Sequence, residues 1–348
     1  MRRLLDGGAD TSEVPFPDEE AEAPKAPFQR HLRLTRASDI EPEPVVWMWE
    51  DDGAGRIPSG ALVVAAGREG TGKSSFGIWM AARITTGTLT GPLFGMPYAV
   101  IYVAVEDSWK HTLVPRLMAA GADLSRVWRV EAVVSEDETG TISLPHDLAL
   151  LEASIRELNA KLVVLDPLMS TIAAKIDTHK ERDTRTVLDP LARLADRAGC
   201  TMLGIAHFGK GIGTDPSSLI TGSGAFKNVP RAVFGFACDP DSDTRVMSQT
   251  KNSLGRSDLP SLAYRIDSAK VETPKGMADV GLFIFDGEAE RSVEEVLAGG
   301  DREEVKAKVA AADFLRDALD GRWVRSKDIA EEAREAHGIS ERTLKRAR

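Results

Sequence analysis

Cysteine is almost absent from this 348-residue sequence, which holds only Cys200 and Cys238. Two thiols build neither a disulfide framework nor a zinc site, and a reducing cytoplasm is the simplest home for such a chain. Long apolar runs are also missing. No stretch approaches the roughly 20 residues needed to cross a bilayer, so no membrane association is expected. The opening Met1-Arg2-Arg3-Leu4-Leu5 turns at once to Asp6-Gly7-Gly8, without the apolar core of a signal peptide. Basic excess is absent too: the formal net charge is -10. That argues against a large surface coating nucleic acid, although a local basic channel depends only on its own lining.

What is present falls into blocks. Residues 1–44 are rich in Asp, Glu, Ala and Pro, with Pro15, Pro17, Pro24, Pro27, Pro42 and Pro44 spread through them. Such composition suits a disordered or loosely draped acidic tail. Val45-Val46-Trp47-Met48-Trp49 is the first strongly apolar cluster. Its tryptophans suit packing on a sheet, with flanking of a planar ligand as the alternative. From Ala61 onward, short apolar runs alternate with helical patterns, the signature of an α/β fold with a mostly parallel sheet covered on both faces. Strands are expected at 61–66, 99–105, 127–134, 161–166 and 201–206. Helices are expected at 74–84, around Leu113–Met118, at 148–158 and at 183–198. The last is either kinked at Pro190 or restarted there. Edge strands are expected at 261–266 and 280–285 within a core spanning 45–290. A linker over 291–302, with Gly299-Gly300, leads to a helical module over 303–348.

The loop after the first strand reads Gly67-Arg68-Glu69-Gly70-Thr71-Gly72-Lys73-Ser74, the G-x-x-x-x-G-K-[ST] spacing of a phosphate-binding loop. Strand before and helix after make a chance match in a Gly-rich turn a poor explanation. Backbone N–H groups from Gly67 to Ser75 would close around phosphate oxygens, with the helix N-terminus behind them. Lys73 would reach the β- and γ-phosphates of ATP, and the Ser74 hydroxyl would bind Mg²⁺. Asp166 follows Leu162-Val163-Val164-Leu165, where a strand-end carboxylate would complete the metal site; an acidic loop start is the bland alternative. Glu106, with Asp107 as its rival, suits a base for water. His207 also closes a strand, as a phosphate sensor or a core histidine. Ligands in open α/β sheets bind beyond the strands' carboxyl ends, and Glu106, Asp166 and His207 all stand at such ends.

These strings, together with Val105-Glu106-Asp107, Leu165-Asp166-Pro167-Leu168, Ala206-His207-Phe208-Gly209-Lys210 and Gly222-Ser223-Gly224-Ala225-Phe226, resemble the RecA/DnaB-like P-loop ATPases. Within them the chain is similar to the RepA-type hexameric replicative helicases and related plasmid and phage ATPases, over roughly residues 45–285. The resemblance implies a RecA-like core. It implies that Lys73, Ser74, Glu106, Asp166 and His207 bind or hydrolyse ATP, and that a neighbouring subunit completes the site with a cation. Arg231 and Lys251 are the candidates. The DnaB pattern has an Arg two positions after the Lys, where Ser253 stands here, with Arg256 beyond it. Single-stranded DNA would pass along loops after Asp166 and His207. Lys210 and Lys227 are the phosphate-contact candidates on the second, a loop expected to be polar and mobile.

The C-terminal pattern is a helix over 303–319, a break at Gly321, and a Ser326-capped helix to His337. A turn at Gly338 then leads into a basic helix carrying Arg342, Lys345 and Arg346. Helix, turn and basic helix fit a helix-turn-helix, winged-helix-like and expected to be cut short at its wing. The alternative is a module that docks a replication-protein partner. The functional expectation is an ATP-dependent motor on single-stranded DNA in a hexameric ring, with an ATP-switched DNA-binding regulator or loader as the other reading. A small-molecule P-loop kinase lacks its arginine-rich lid here.

Overall fold

The computed structural model describes residues 32–135, 138–209, 211, 213–239, 244–299, 311, 314–316, 318–319, 326–337, 339–340 and 344. The chain divides into two compact units, Met1–Pro44 and Val45–Arg348. In the first, the described stretch is irregular apart from one 3-10 turn at Ala37–Asp39, and Leu32, Leu34 and Ile40 are exposed. Residues 1–31 of the expected tail lie outside the described residues.

The second unit is built on a sheet of nine strands among the described residues. In chain order the strands are β1 (Trp47–Asp51), β2 (Ala54–Pro58), β3 (Leu62–Gly67), β4 (Val100–Ala104), β5 (Val127–Arg129), β6 (Ala132–Ser135) and β7 (Glu138–Gly140). They continue with β8 (Leu162–Asp166), β9 (Thr201–His207), β10 (Ala232–Cys238), β11 (Arg245–Asn252), β12 (Leu262–Thr273) and β13 (Gly276–Glu288). The helices are α1 (Lys73–Thr85), α2 (Val114–Ala119), α3 (Leu148–Leu158), α4 (Glu181–Ala198) and α5 (Ala225–Asn228). The main sheet runs β13-β12-β11-β10-β3-β9-β8-β4-β5. Strands β10 through β5 are parallel, and β11 to β13 are added antiparallel. The hairpins β1-β2 and β6-β7 stand apart from it.

The apolar runs form strands because both faces are covered. Along β3, Leu62, Val64 and Ala66 pack with Leu151 and Ile155 of α3 and Val187, Leu188, Leu191 and Leu194 of α4. Val63 and Ala65 point the other way, toward Phe76, Met80, Leu113 and Leu117. Helix α4 is continuous: Pro190 lies inside it, giving up one backbone hydrogen bond without ending the helix, which stops at Gly199 in the left-handed conformation.

Several expectations change. Strands β10 and β11 are additional to the expected ones, and β10 pairs directly with β3 and completes the parallel core. The expected strand 127–134 is two strands, because β5 closes the sheet edge while β6 turns away to pair with β7. The expected edge strands are the ends of one long hairpin, paired from Leu262–Glu288 to Thr273–Gly276. Only Leu262, Ala263 and Tyr264 of it pair with β11; α1 and α2 pack against the hairpin. Residues 293–299 of the expected linker are helical, with Val293 and Val296 buried against Ala237 and Val246. The loop expected to be mobile after His207 is packed: Leu219, Ile220 and Phe226 enter the core, and Ser223 Oγ bonds Thr184 Oγ1 at 2.9 Å.

Near the C-terminus, helix Ser326–His337 places Ile329 and Ala333 in a small core with Ala311, Phe314, Leu315 and Leu344. Arg342, Lys345 and Arg346 of the expected basic helix lie outside the described residues.

One aromatic nucleus ties α1 to the sheet. Trp49, which the sequence left open to a ligand-flanking role, is buried, with its ring 6.0 Å from Phe76 and 5.5 Å from Trp79. Phe76 also meets Phe236 at 5.5 Å and is wholly buried. Replacing Phe76 by Ala should destabilise the protein by about 3–5 kcal/mol, the range for deleting a core phenylalanine. Urea titration would read this as a lower midpoint with an unchanged slope.

Candidate functional site

Strand β3 stops at Gly67, and α1 starts six residues later at Lys73. Gly72 makes the corner with φ of 95°, and a side chain there would also press on Tyr264, 3.2 Å from the position of its Cβ. The intervening loop folds on itself through Arg68. Its carbonyl accepts from Thr71 Oγ1 at 2.8 Å and from Lys73 Nζ at 2.7 Å. Lys73 is buried, and desolvation pulls its ammonium down to about 8 against the attraction of Asp166 and Glu69.

Register brings the other groups to the same end. Ala104 pairs with Asp166 across β4 and β8, and Gly67 with His207 across β3 and β9. Burial pushes the Asp166 carboxyl up to about 6, although hydrogen bonds from Ser74 and Tyr102 and the charge of Lys73 oppose this. The Tyr102 hydroxyl donates to Asp166 Oδ2 at 3.1 Å. Room for that hydroxyl exists because α1 has Gly77 there: a Cβ at 77 would sit 3.2 Å from it. His207 is held below its ordinary pKa by desolvation and then by Lys73, with Glu106 and Glu69 pulling the other way. Its Nδ1 is buried without a hydrogen-bond partner among the described residues. Glu106 is exposed beside it. Asp107 instead faces Arg116, 3.6 Å from its guanidinium, and adds its charge to the field on Asp166.

Thus Gly67–Ser75, Glu106, Asp166 and His207 meet at the carboxyl end of the sheet. The cations expected to complete a neighbouring subunit's site, Arg231 and Lys251, stand away from this one. The backbone N–H of Arg231 bonds Leu62 O at 2.9 Å, and Lys251 pairs with Val233, so both stand at the opposite end of β3. Five residues of strand separate them from Gly67, about 17 Å at the usual rise. Lys251 Nζ donates to the carbonyls of Lys227 and Asn228, 3.0 and 2.8 Å away, closing the end of α5. Burial and the neighbouring Arg231, Lys227 and Arg185 lower its pKa. The exposed Arg231 side chain makes no ion pair among the described residues, whereas Arg256 is bonded twice to Asp258 at 3.0 Å. Lys227 is paired with Asp215 at 3.2 Å; Lys210 lies outside the described residues. A cleft of about 420 Å³ borders the site beyond β4 and β5, lined by Asp107, Trp109, Lys110, Arg129 and Glu131.

Three residues of this region were not singled out in the sequence. Tyr102 supports Asp166. Arg245, opening β11, donates through Nη1 to Gly70 O, and the Tyr264 hydroxyl donates to Thr71 O. Alternation along β4 was a signal for Tyr102. Nothing local marks Arg245 or Tyr264, which approach from strands 175 and 193 residues away.

A family model described as an AAA domain matches residues 23–213, more than half of the chain. The chain belongs to the AAA domain family. No curated protein matches it. The AAA domain and the mostly parallel central sheet fit a RecA-like core of the P-loop ATPase class, and such a domain implies nucleotide binding. The matched span stops before β10, so one of the two strands flanking β3 lies outside it. Among the described residues no helix is long and apolar enough to cross a membrane.

The donor set fits Mg²⁺ with a nucleotide. Among the described residues no group of three or more His, Cys, Asp or Glu could hold a metal ion; Mg²⁺ is commonly held by one or two carboxylates plus phosphate oxygens and waters. Asp166, half-buried with the Ser74 hydroxyl beside it, supplies that kind of partial shell. The pKa values set a window. Below about pH 6 Asp166 gains a proton and loses its charge for the metal, while above about pH 8 Lys73 loses its charge for phosphate. Affinity of the free protein for Mg-ATP, followed by calorimetry across pH 5–9, should therefore form a bell with limbs near these values. The raised Asp166 pKa also means that its contribution to folding diminishes as pH rises toward 6. Asp166→Asn should accordingly raise the ligand-free melting temperature at pH 7 while removing metal-dependent binding.

Proposed function

We propose that this AAA domain protein hydrolyses ATP as part of a hexameric motor on single-stranded DNA, of the RepA/DnaB-like replicative helicase type. The observation that carries the ATPase reading is the convergence of Lys73, Ser74, Asp166, Glu106 and His207 at one end of the sheet.

In this reading the loop N–H groups and Lys73 hold the phosphates, and Ser74 and Asp166 hold Mg²⁺. Held there, Mg²⁺ would supply positive charge against the negative charge that phosphoryl transfer develops. Glu106 orients the attacking water and receives its proton. Glu106 is preferred to Asp107 because its charge acts on His207 and it is free of the Arg116 pair that engages Asp107. His207 would donate a ring N–H to the γ-phosphate and so report on its presence. The Arg231 side chain stands too far along β3 to serve its own loop; in this reading, as the resemblance implies, it would act on a neighbouring subunit's nucleotide. Lys251 is the weaker finger candidate, since its ammonium is engaged by two carbonyls.

A second reading, an ATP-switched DNA-binding regulator or loader that does not unwind, is favoured by one observation. Lys227, the described cation of the expected DNA loop, is neutralised by Asp215, and that loop is packed into the core. ATP turnover with and without single-stranded DNA separates the two. The motor reading expects strong stimulation, abolished in Lys73→Ala and Glu106→Gln; turnover indifferent to nucleic acid favours the switch. The finger assignment is tested by mixing. Arg231→Ala and Lys73→Ala should each be nearly inactive alone, yet recover part of the turnover when combined, because each supplies what the other lacks. Failure of the mixture to recover would remove Arg231 from that role.

A further inference from the structure

The loop after β3 can gather anions only if its backbone N–H groups point into it, and two outside side chains control that. Arg245 donates to Gly70 O and Tyr264 donates to Thr71 O. Both peptide bonds concerned are trans, and in a planar trans peptide the C=O and N–H point in opposite directions. Drawing the Gly70 carbonyl outward therefore turns the Thr71 N–H inward, and drawing the Thr71 carbonyl outward does the same for the Gly72 N–H. The Gly72 N–H has no acceptor among the described residues, and the Thr71 N–H has only the turn contact toward the Arg68 carbonyl. They form the beginning of an anion-binding nest that runs into the N-terminus of α1.

The two donors are themselves held. Tyr264 is buried, its ring stacked 4.6 Å from Phe283 and set edge-on to Phe236 at 5.7 Å. Arg245 opens β11 in register with Cys238 at the end of β10. It lies close enough to Tyr264 to act electrostatically on its hydroxyl. Lys73 and Thr71 meanwhile bind the Arg68 carbonyl, so three carbonyls of the loop are occupied by protein donors. Left free, those carbonyls would be able to turn toward a bound phosphate and repel it.

We propose that Arg245 and Tyr264 are positioning residues for phosphate: by holding the Gly70 and Thr71 carbonyls outward they preorganise the Thr71 and Gly72 N–H groups for the phosphates of a nucleotide. Arg245 adds a positive charge behind the loop, and neither residue needs to touch the ligand. This rests on the nucleotide reading given above and adds to it a device supplied by the antiparallel half of the sheet.

The test compares binding of ADP and of adenosine to the full chain, wild type against Arg245→Ala, Arg245→Lys and Tyr264→Phe, with ligand-free melting measured for each. Tyr264→Phe keeps the buried ring and removes only the hydroxyl. The expected result is that Arg245→Ala weakens ADP about tenfold, the scale of one charge-assisted hydrogen bond. Tyr264→Phe should weaken it several-fold and Arg245→Lys should restore most of the loss. Adenosine binding should stay unchanged, and any fall in ligand-free melting, expected where a buried carbonyl loses its donor, should weaken both ligands equally if it alone is the cause. Wild-type ADP affinity in both Arg245→Ala and Tyr264→Phe would overturn the proposal, as would equal loss for adenosine and ADP, or a lysine that restores nothing. Failure of the wild-type protein to bind ADP at all would instead overturn the nucleotide reading beneath it.

Discussion

A cation and a carboxylate held in partial dehydration at the end of a parallel sheet set the terms for the rest of this molecule. Lys73 and Asp166 each lose hydration on folding, and each is partly compensated by the other and by fixed dipoles around it. The parallel sheet makes this possible. Helices cover the faces of its parallel strands, which leaves the strand ends as the place where polar groups can gather. Tyr102 and Ser74 on one side and the Arg68 carbonyl on the other then hold the two charges in place.

Sharing of labour between the two halves of the sheet follows. The parallel half, β10 to β5, delivers the chemistry-bearing residues from strand ends. The antiparallel half delivers shape. Its long hairpin buries Tyr264 and Phe283 with α1 and α2, and its first strand brings Arg245 to the loop. Helix 293–299 packs on the same half through Val293 and Val296, and Arg291 pairs with Asp239 at 2.8 Å. The chain leading toward the C-terminal helices is thereby anchored at the end of β10, near the phosphate-binding end rather than far from it.

How much of this was legible follows from the range of each interaction. The loop from Gly67 to Ser74 and the strand ending in Asp166 are contiguous strings whose backbone geometry requires particular residues, so they read directly. Helix α3 reads to the residue because its apolar spacing is clean and Asn159 closes it. Strand β10 is hard to read because Gly235 interrupts its apolar run; the glycine is explained by Pro216, Val293 and Thr250 crowding it from elsewhere in the chain. The loop after His207 looked polar by composition, yet Leu219, Ile220 and Phe226 tuck beneath it. Arg245 and Tyr264 could not be read at all, since an ordinary arginine and tyrosine acquire their meaning from a carbonyl nearly two hundred residues earlier.

That separation bears on how the protein comes into being. The phosphate loop and α1 leave the ribosome long before residues 245 and 264 exist. Until the last third of the chain is made, the early segment carries its motif without the two donors that shape it. Full binding strength would then be a late event in synthesis, arriving with the closure of contacts between distant parts of the chain, which are the slow ones to form. A nascent fragment ending near residue 213 would hold every glycine of the loop, yet lack the donors to the Gly70 and Thr71 carbonyls. Topology alone would thus weaken the hold of an unfinished chain on nucleotide.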